Sequence, residues 1–280
     1  MFAVAASRLR FEEKRILDTL ARRKVSHTHL DPRRIWVELG AGAREYTAVL
    51  NREIAQTRGW YLAHLLEAAG ISVVNSARAS QTCADKVMCT TALRRHGLPV
   101  PRTAVALDTA GARDAVAALG YPVVIKPVVG SWGRLLGLLH DGDAVDAVLN
   151  HRDALPSPQH RVLYLQELID KPGRDIRVIV IGGEAVGAIY RGAQDWRTNT
   201  ARGASATPCA LGPDLAELAV RAAAAVGADI AGVDLVEDRL GGCYVLEVNH
   251  TVEFRGFQAA HGDRIDVAAA IVDHLQERWP

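Results

Sequence analysis

The 280-residue sequence lacks the features that mark cysteine-stabilised, secreted and membrane-spanning proteins. Its four cysteines, Cys83, Cys89, Cys209 and Cys243, form no C-x-x-C pair, so neither a disulfide framework nor a cysteine-bound metal is expected. No apolar run reaches the roughly 18 residues that a membrane span needs, and the first residues lack the pattern of a secretory signal. We therefore expect a cytoplasmic protein that makes no membrane contact.

The sequence also lacks an excess of either charge. It has 33 basic and 32 acidic side chains, and the formal net charge is +1, so no strong global field attracts nucleic acid or an anionic membrane. Aromatic residues make up only 5% of the chain, and they provide no stacking platform for single-stranded nucleic acid. Because 49% of the residues are hydrophobic and 23% are charged, we expect a globular protein with a buried core.

Apolar segments alternate between strand-like and helix-like patterns in the first 80 residues. Strands are predicted at residues 2–6, 35–39 and 71–74, and helices at residues 12–21 and 58–69. This alternation indicates a small parallel α/β unit. A further helix over residues 84–96 ends at Gly97, before two prolines, and a domain boundary is expected near residue 80.

The rest of the chain is predicted to be rich in strands. Strands are predicted at 123–127, 135–139, 162–165, 177–181, 185–190, 230–236 and 243–248, and helices at 143–150, 214–226 and 266–277. Gly182 and Gly183 are predicted to form a hairpin turn. The polar residues 151–160 include two prolines and suggest a second boundary.

Three oxygen-bearing side chains, those of Asp234, Glu247 and Asn249, lie on the two strands predicted near the C-terminus. Period-two geometry places Glu247 and Asn249 on one face, about 7 Å apart, and magnesium prefers such oxygen ligands. A solvent-facing amphipathic hairpin is the alternative. The apolar neighbours of Glu247 argue against it, because an unpaired carboxylate is costly to bury.

Two lysines are candidates for binding phosphate, Lys86 and Lys126. Lys126 follows an apolar strand and precedes the glycine-bearing turn of residues 130–134, whose backbone amides and Arg134 could hold phosphate oxygens. As a simple hairpin, the same turn needs no ligand.

A third polar cluster spans residues 173–177 and 199–203. Strand alternation points Asp175 and Arg177 to the same face, and Asn199 and Arg202 lie in a polar loop. Such cations suit phosphoryl transfer, although a single arginine is more often part of a surface ion pair.

Together these segments resemble the ATP-grasp superfamily, and within it the LysX-type ligases of the RimK-like branch. The resemblance runs through nearly the whole chain. It is carried by residues 85–90, 97–101, 122–127, 130–134, 166–167, 171–177, 199–203 and 247–254, together with Asp234.

The resemblance implies an α/β (α+β) ATP-grasp fold of three domains, over residues 1–82, 83–160 and 161–280, with ATP held between the last two. It implies nucleotide-binding roles for Lys86, Lys126, Gly130, Ser131, Gly133, Arg134, Gln166, Glu167, Leu168, Ile169 and Asp175. It implies that Asp234, Glu247 and Asn249 bind Mg²⁺, that Arg177, Asn199 and Arg202 face the transferred phosphoryl group, and that Glu253, Phe254, Arg255, Gly256 and Phe257 meet the substrate.

The implied reaction activates a carboxylate as an acyl phosphate and joins it to an amine. In LysX-type enzymes the carboxylate is the side chain of the C-terminal glutamate of a small acidic amino-group carrier protein, and the amine is that of α-aminoadipate or glutamate, in lysine or arginine biosynthesis. The resemblance also implies a homo-oligomer, a dimer or a tetramer.

Two departures from the family pattern occur. Arg202-Gly203-Ala204 stands where Arg-Gly-Gly is expected. The Gly256-Phe257 pair resembles the glutamate-selective variant, since α-aminoadipate-selective members carry Asn at the position of Gly256 and bulk from Phe257 would shorten the pocket. One methylene group is worth only about 1–3 kcal/mol in an apolar pocket.

Three alternatives stand beside this reading. A RimK-like enzyme could add glutamate to another protein tail or to a small molecule. A nucleotide-binding scaffold without turnover is disfavoured, because the lysines, Arg177 and the predicted magnesium ligands are intact. A dinucleotide oxidoreductase, suggested by the α/β start, is disfavoured because no G-x-G-x-x-G follows the first strand.

Overall fold

The computed structural model describes residues 1–39, 46–130, 135–192 and 205–280, which form three sheets with helices packed against them. The first sheet contains four parallel strands in the order β2-β1-β3-β4, namely β1 (Phe2–Ala5), β2 (His27–Leu30), β3 (Ala48–Asn51) and β4 (Ser72–Val74). Helices α1 (Phe11–Arg22), α2 (Gln56–Ala68), α3 (Ala77–Ala84) and α4 (Lys86–Arg95) complete this part of the chain.

The second strand is not where the sequence pattern predicts it. Residues 35–39 form no strand, and Trp36 and Leu39 are 73% and 80% exposed. The strand is β2, which among the described residues pairs only with β1, at the edge of the sheet. It is mostly polar, so it shows no apolar run. Asp31 caps a short 3₁₀ turn that directly follows β2, since its side chain accepts the backbone N–H of Arg33.

The helix predicted over residues 84–96 is two helices, α3 and α4. Asp85 has an extended backbone between them, and its carboxylate accepts hydrogen bonds from the backbone N–H groups of Val87 and Met88. This cap gives α4 its own start at Lys86. Lys86 also donates its backbone N–H to Val128, which joins the start of α4 to the end of the next sheet.

The second sheet is antiparallel, in the order β5-β8-β6-β7. It contains β5 (Thr103–Ala106), β6 (Val123–Pro127), β7 (Gly137–Leu139) and β8 (Leu163–Glu167), with α5 (Thr109–Leu119) and α6 (Gly142–Asp153) packed against it. Strand β5 and helix α5 were not predicted from the sequence. Because β8 pairs with both β5 and β6, the boundary predicted between residues 160 and 161 separates this strand from the sheet to which it belongs.

The third sheet is also antiparallel, in the order β11-β10-β9-β12-β13. Its strands are β9 (Arg174–Ile181), β10 (Glu184–Gly192), β11 (Ser205–Cys209), β12 (Ile230–Glu237) and β13 (Cys243–Asn249), and its helices are α7 (Pro213–Val226), α8 (Arg255–His261) and α9 (Val267–Arg278). Gly182 and Gly183 form the predicted hairpin turn, with φ of 60° and 85°, values that favour glycine.

The first and third sheets share one hydrophobic core. Val4 and Leu50 of the first sheet belong to the same buried cluster as Ile179 and Ile230 of the third sheet and Ile271 of α9. The opposite face of the third sheet packs on α7 and α4. The buried cluster of the second sheet contains only residues between Ala106 and Leu165, so this sheet has a core of its own.

No helix in the described ranges is both long enough and apolar enough to cross a membrane.

Candidate functional site

The polar face of the third sheet brings together residues from three neighbouring strands. Asp234 of β12 lies opposite Arg177 of β9 and opposite Glu247 of β13, and Asn249 pairs with Gly232 two residues away. The amide nitrogen of Asn249 is 3.3 Å from Oδ2 of Asp234 and 3.3 Å from Oε1 of Glu247. The three side chains predicted to bind magnesium therefore converge on one point.

Asp234 is held by two arginines. Arg177 donates two parallel hydrogen bonds to its carboxylate, at 2.7 and 2.8 Å, and Nη2 of Arg191 lies 3.1 Å from Oδ1. Burial alone would raise the pKa of Asp234, but the two guanidinium groups outweigh burial and lower it to about 2. Asp234 is therefore ionised and anchors both arginines.

Arg191 was not among the residues predicted from the sequence. It is the penultimate residue of the mostly apolar strand β10 and lies directly opposite Asp175, and its Nε donates to Asp175 at 2.6 Å. Both side chains are buried. The sequence feature that could have indicated Arg191 is a single basic residue near the end of a mostly apolar strand. Asp175, predicted to bind the cofactor, bonds to Arg191 in this structure.

The two predicted phosphate-binding lysines approach the same point. Nζ of Lys86 lies 3.6 Å from Oε2 of Glu247 and donates to the carbonyl of Gly130 at 3.0 Å. Nζ of Lys126 donates to Oε1 of Gln166 at 2.6 Å. Burial lowers the pKa of Lys126 to about 8, with nearby Glu247 opposing this shift and Lys86 adding to it.

Residues 166–169, which are among the predicted nucleotide-binding residues, are held in place at their start. The amide of Gln166 donates to Thr103 at 3.0 Å and to the hydroxyl of Tyr164 at 2.9 Å. The carboxylate of Glu167 accepts the backbone N–H of Arg102 at 2.6 Å. Leu168 and Ile169 follow as partly buried residues.

Five predicted site residues lie outside the described ranges. These are Ser131, Gly133 and Arg134 of the predicted glycine-bearing turn, and Asn199 and Arg202 of the predicted polar loop. Their predicted roles stay predictions.

The predicted substrate segment, residues 253–257, is attached to the first domain by charged groups. Glu253 is paired with Arg10 at 2.6 Å, and the carboxylate of Glu12 accepts the backbone N–H groups of Phe254 and Arg255 at 3.1 and 3.0 Å. These contacts join α1 to the residues that follow β13, the strand that carries Glu247 and Asn249.

A fully buried arginine supports the same segment. Arg52 donates to the carbonyl of Val252 at 2.7 Å and is paired with Glu13 at 3.1 Å. Contacts between residues so far apart in the sequence leave no local pattern, so they could not be predicted from the sequence.

Phe257, whose bulk was expected to shorten the substrate pocket, lies in the hydrophobic core. Its side chain is 1% exposed and belongs to the core shared by the first and third sheets. A Cβ atom on Gly187 would lie only 2.8 Å from its ring. The bulk of Phe257 therefore fills the core under β10, while Gly256 at the start of α8 is partly exposed.

The predicted magnesium ligands suit that ion in their donor chemistry. Within the described part of the chain, no three His, Cys, Asp or Glu side chains are grouped to hold a metal. The predicted set instead combines two carboxylates with one amide. The amide nitrogen stands between the two carboxylates, a place suited to a cation, and the oxygens of Glu247 have lone pairs beyond those that its hydrogen bond and ion pair use.

Comparison with known proteins identifies the family. The family profile of the LysX preATP-grasp domain matches residues 2–82, and that of the RimK-like ATP-grasp domain matches residues 83–275. The chain is 31% identical over 273 residues to the glutamate–LysW ligase ArgX of Sulfurisphaera tokodaii, covering 97% of this chain and 96% of the relative.

Two further proteins agree with this match. The chain is 37% identical over 207 residues to the alpha-aminoadipate–LysW ligase LysX of Saccharolobus solfataricus, covering 74% of this chain and 75% of the relative. The crystal structure of a RimK domain ATP-grasp protein from Sphaerobacter thermophilus superposes with a TM-score of 0.82 at 29% identity, covering 98% of both chains. The predicted family and fold class are confirmed. The chain belongs to the RimK-like ATP-grasp family of ligases.

Proposed function

We propose that this protein uses ATP to join the α-amino group of glutamate to the side-chain carboxylate of the C-terminal glutamate of a small acidic carrier protein. The observation that carries the proposal is the convergence of Lys86, Lys126 and Arg177 with Asp234 and Glu247 on one face of the third sheet. The full-length relative named as a glutamate–LysW ligase supports the choice of a carrier protein as acceptor.

The reaction would proceed in two steps. An oxygen of the carrier carboxylate takes the γ-phosphoryl group from ATP, and ADP leaves. The amine nitrogen then attacks the acyl carbon, phosphate leaves, and the nitrogen loses a proton as the amide forms. Positioning and charge neutralisation supply most of the catalysis in such a transfer.

Different residues of this chain would have different roles in these two steps. Lys86 and Lys126 would neutralise nucleotide phosphates, and Arg177, oriented by Asp234, would face the transferred phosphoryl group. Asp234, Glu247 and Asn249 would hold Mg²⁺, which when bound offsets the negative charge of phosphate oxygens. Asn199 and Arg202 would contribute from the polar loop.

The choice of glutamate over α-aminoadipate rests on the Gly256-Phe257 pair. Because Phe257 is buried, any selection by this pair would act through Gly256 and through the placement of α8. The relative that is similar over the full length is named for glutamate, which supports the same choice.

The test incubates the purified protein with ATP, Mg²⁺, a carrier ending in glutamate, and either glutamate or α-aminoadipate. Intact mass spectrometry of the carrier and phosphate release are measured together. We expect the carrier to gain the mass of one glutamate residue and a matched carrier ending in alanine to gain nothing. Phosphate release without a gain in carrier mass would contradict the carrier as acceptor, and no ATP use would contradict the ligase activity.

A further inference from the structure

Asn75 connects the first sheet to the strands of the proposed magnesium site. It follows β4 and is 2% exposed. Its amide nitrogen donates to the carbonyls of Ile230 at 2.7 Å and His250 at 2.8 Å, and its amide oxygen accepts the backbone N–H of Ile230 at 2.9 Å. These partners are 155 and 175 residues away in the sequence.

The two partners lie at the open end of one antiparallel strand pair. Ile230 is the first residue of β12, and His250 directly follows the last residue of β13. The paired register of the two strands ends at Gly232 and Asn249. The side chain of Asn75 therefore connects β12 and β13 just beyond Gly232 and Asn249, the last pair of their ladder.

This end of the strand pair carries part of the proposed magnesium site. Asn249 immediately precedes His250, and its amide reaches across to the carbonyl of Gly232 at 3.4 Å as well as to Asp234. The ends of a strand ladder open more readily than its centre. The hydrogen bonds of Asn75, which form a clamp just beyond Asn249, therefore limit the positions that the Asn249 side chain can take. Both partners of the clamp are backbone groups, so it restrains the strands themselves.

We infer that Asn75 is a positioning residue: it sets the spacing of β12 and β13 at Asn249 and thereby the metal affinity of the site. This inference rests on the proposed function, in which Asp234, Glu247 and Asn249 hold Mg²⁺. Groups that orient the ligands of a metal typically change its affinity by about 10–100-fold when they are removed. Such an effect differs from a general loss of stability.

A matched control is available in the neighbouring residue. The hydroxyl of Ser76 accepts the backbone N–H of Ala79 at 3.1 Å and caps α3. Ser76→Ala therefore weakens the same stretch of chain without removing a bond to Ile230 or His250. If Asn75 acts only through stability, Ser76→Ala and Asn75→Ser will have similar effects on metal binding.

The experiment measures Mn²⁺ binding to the full chain by the electron paramagnetic resonance signal of free Mn²⁺, in the presence of ADP. The variants are Asn75→Ser, Ser76→Ala and Glu247→Gln. A further variant, Asn75→Asp, is nearly isosteric and keeps an acceptor for Ile230, but it turns an oxygen towards the two carbonyls. We expect the Mn²⁺ dissociation constant to rise about tenfold or more in both Asn75 variants and to stay within about twofold of wild type in Ser76→Ala.

The outcomes separate this inference from the proposed function. Wild-type affinity in the Asn75 variants, or an equal loss in Ser76→Ala, would overturn the positioning role. If the wild type binds Mn²⁺ no better than Glu247→Gln does, the proposed metal site itself fails.

A second measurement needs no variant and covers the case in which the Asn75 variants do not fold. Coupling between two sites is reciprocal, so Mn²⁺ with ADP should slow hydrogen exchange at the backbone N–H of Ile230, which Asn75 binds. Unchanged exchange there, with Mn²⁺ demonstrably bound, would overturn the inference.

Discussion

Arg177 and Asp234 form a bidentate ion pair across neighbouring strands, with N–O distances of 2.7 and 2.8 Å. Glu247 faces Asp234 from the other side, yet its ion pair with Lys86 is longer, at 3.6 Å, and its side chain is more exposed. Two carboxylates with the same predicted role in metal binding therefore have different roles in stability.

The two carboxylates should respond differently to neutral, nearly isosteric replacements. Asp234→Asn leaves the buried guanidinium of Arg191 and the partly buried guanidinium of Arg177 without their shared counter-charge, which should lower the free energy of unfolding by about 3–5 kcal/mol. Glu247→Gln removes only a partly exposed pair, and a loss of at most about 1 kcal/mol is expected. Urea unfolding measures both, and equal losses would contradict the structural difference. Both variants should lack ligase turnover.

Arg191 should affect catalysis through Arg177. Arg191→Lys keeps the positive charge, but a single ammonium cannot reproduce the bridge that the guanidinium makes between Asp175 and Asp234. A small displacement of Arg177 should then lower kcat by about 10–100-fold with little change in KM for ATP. Steady-state kinetics separate the two constants. A change confined to KM for ATP would indicate that Arg191 acts on nucleotide binding instead.

Nucleotide binding should weaken at alkaline pH because of Lys126. Burial lowers the pKa of this lysine to about 8, against an ordinary 10.5, so its ammonium is lost as pH rises through 8 in the nucleotide-free protein. If phosphate binds only the ammonium form, the dissociation constant of ADP should rise by up to about tenfold per pH unit above that value. Calorimetry from pH 7 to about 10 tests this, since free lysine titrates only near pH 10.

The Lys126→Arg variant is the control for this pH profile. A guanidinium keeps its charge over the whole range, so its ADP affinity should vary little with pH. Parallel pH profiles in the two proteins would assign the titration to another group.

The core position of Phe257 can be tested at Gly187. A Cβ atom there would lie 2.7 Å from Ile265 and 2.8 Å from the Phe257 ring, so Gly187→Ala should destabilise the protein by about 1–3 kcal/mol. In Gly142→Ala, by contrast, the new Cβ meets nothing within 4 Å, and stability should be unchanged or slightly higher. Thermal or urea unfolding provides the comparison.

A double-mutant cycle makes the test specific. Phe257→Leu removes part of the ring that the new methyl group would strike, so it should recover part of the loss caused by Gly187→Ala. Strictly additive losses would show that the two side chains do not meet.

Much of the fold and part of the site followed from the sequence because they depend on local pattern. The β-branched runs at 123–125 and 178–181 are typical of strands, and they lie in β6 and β9. The spacing of Asp234, Glu247 and Asn249 likewise indicated a converging set, since residues two apart on a strand share a face.

Tertiary structure decided the features that depend on register and on distant contacts. Arg191 meets Asp175 only because β10 pairs with β9 in one register, and a shift of one residue would turn Arg191 to the opposite face. Residues 27–30 form strand β2 because they pair with β1, since their own mostly polar sequence is not typical of a strand. The bonds of Asn75 span 155 and 175 residues, and periodicity within a segment holds no information about which distant segments pack together.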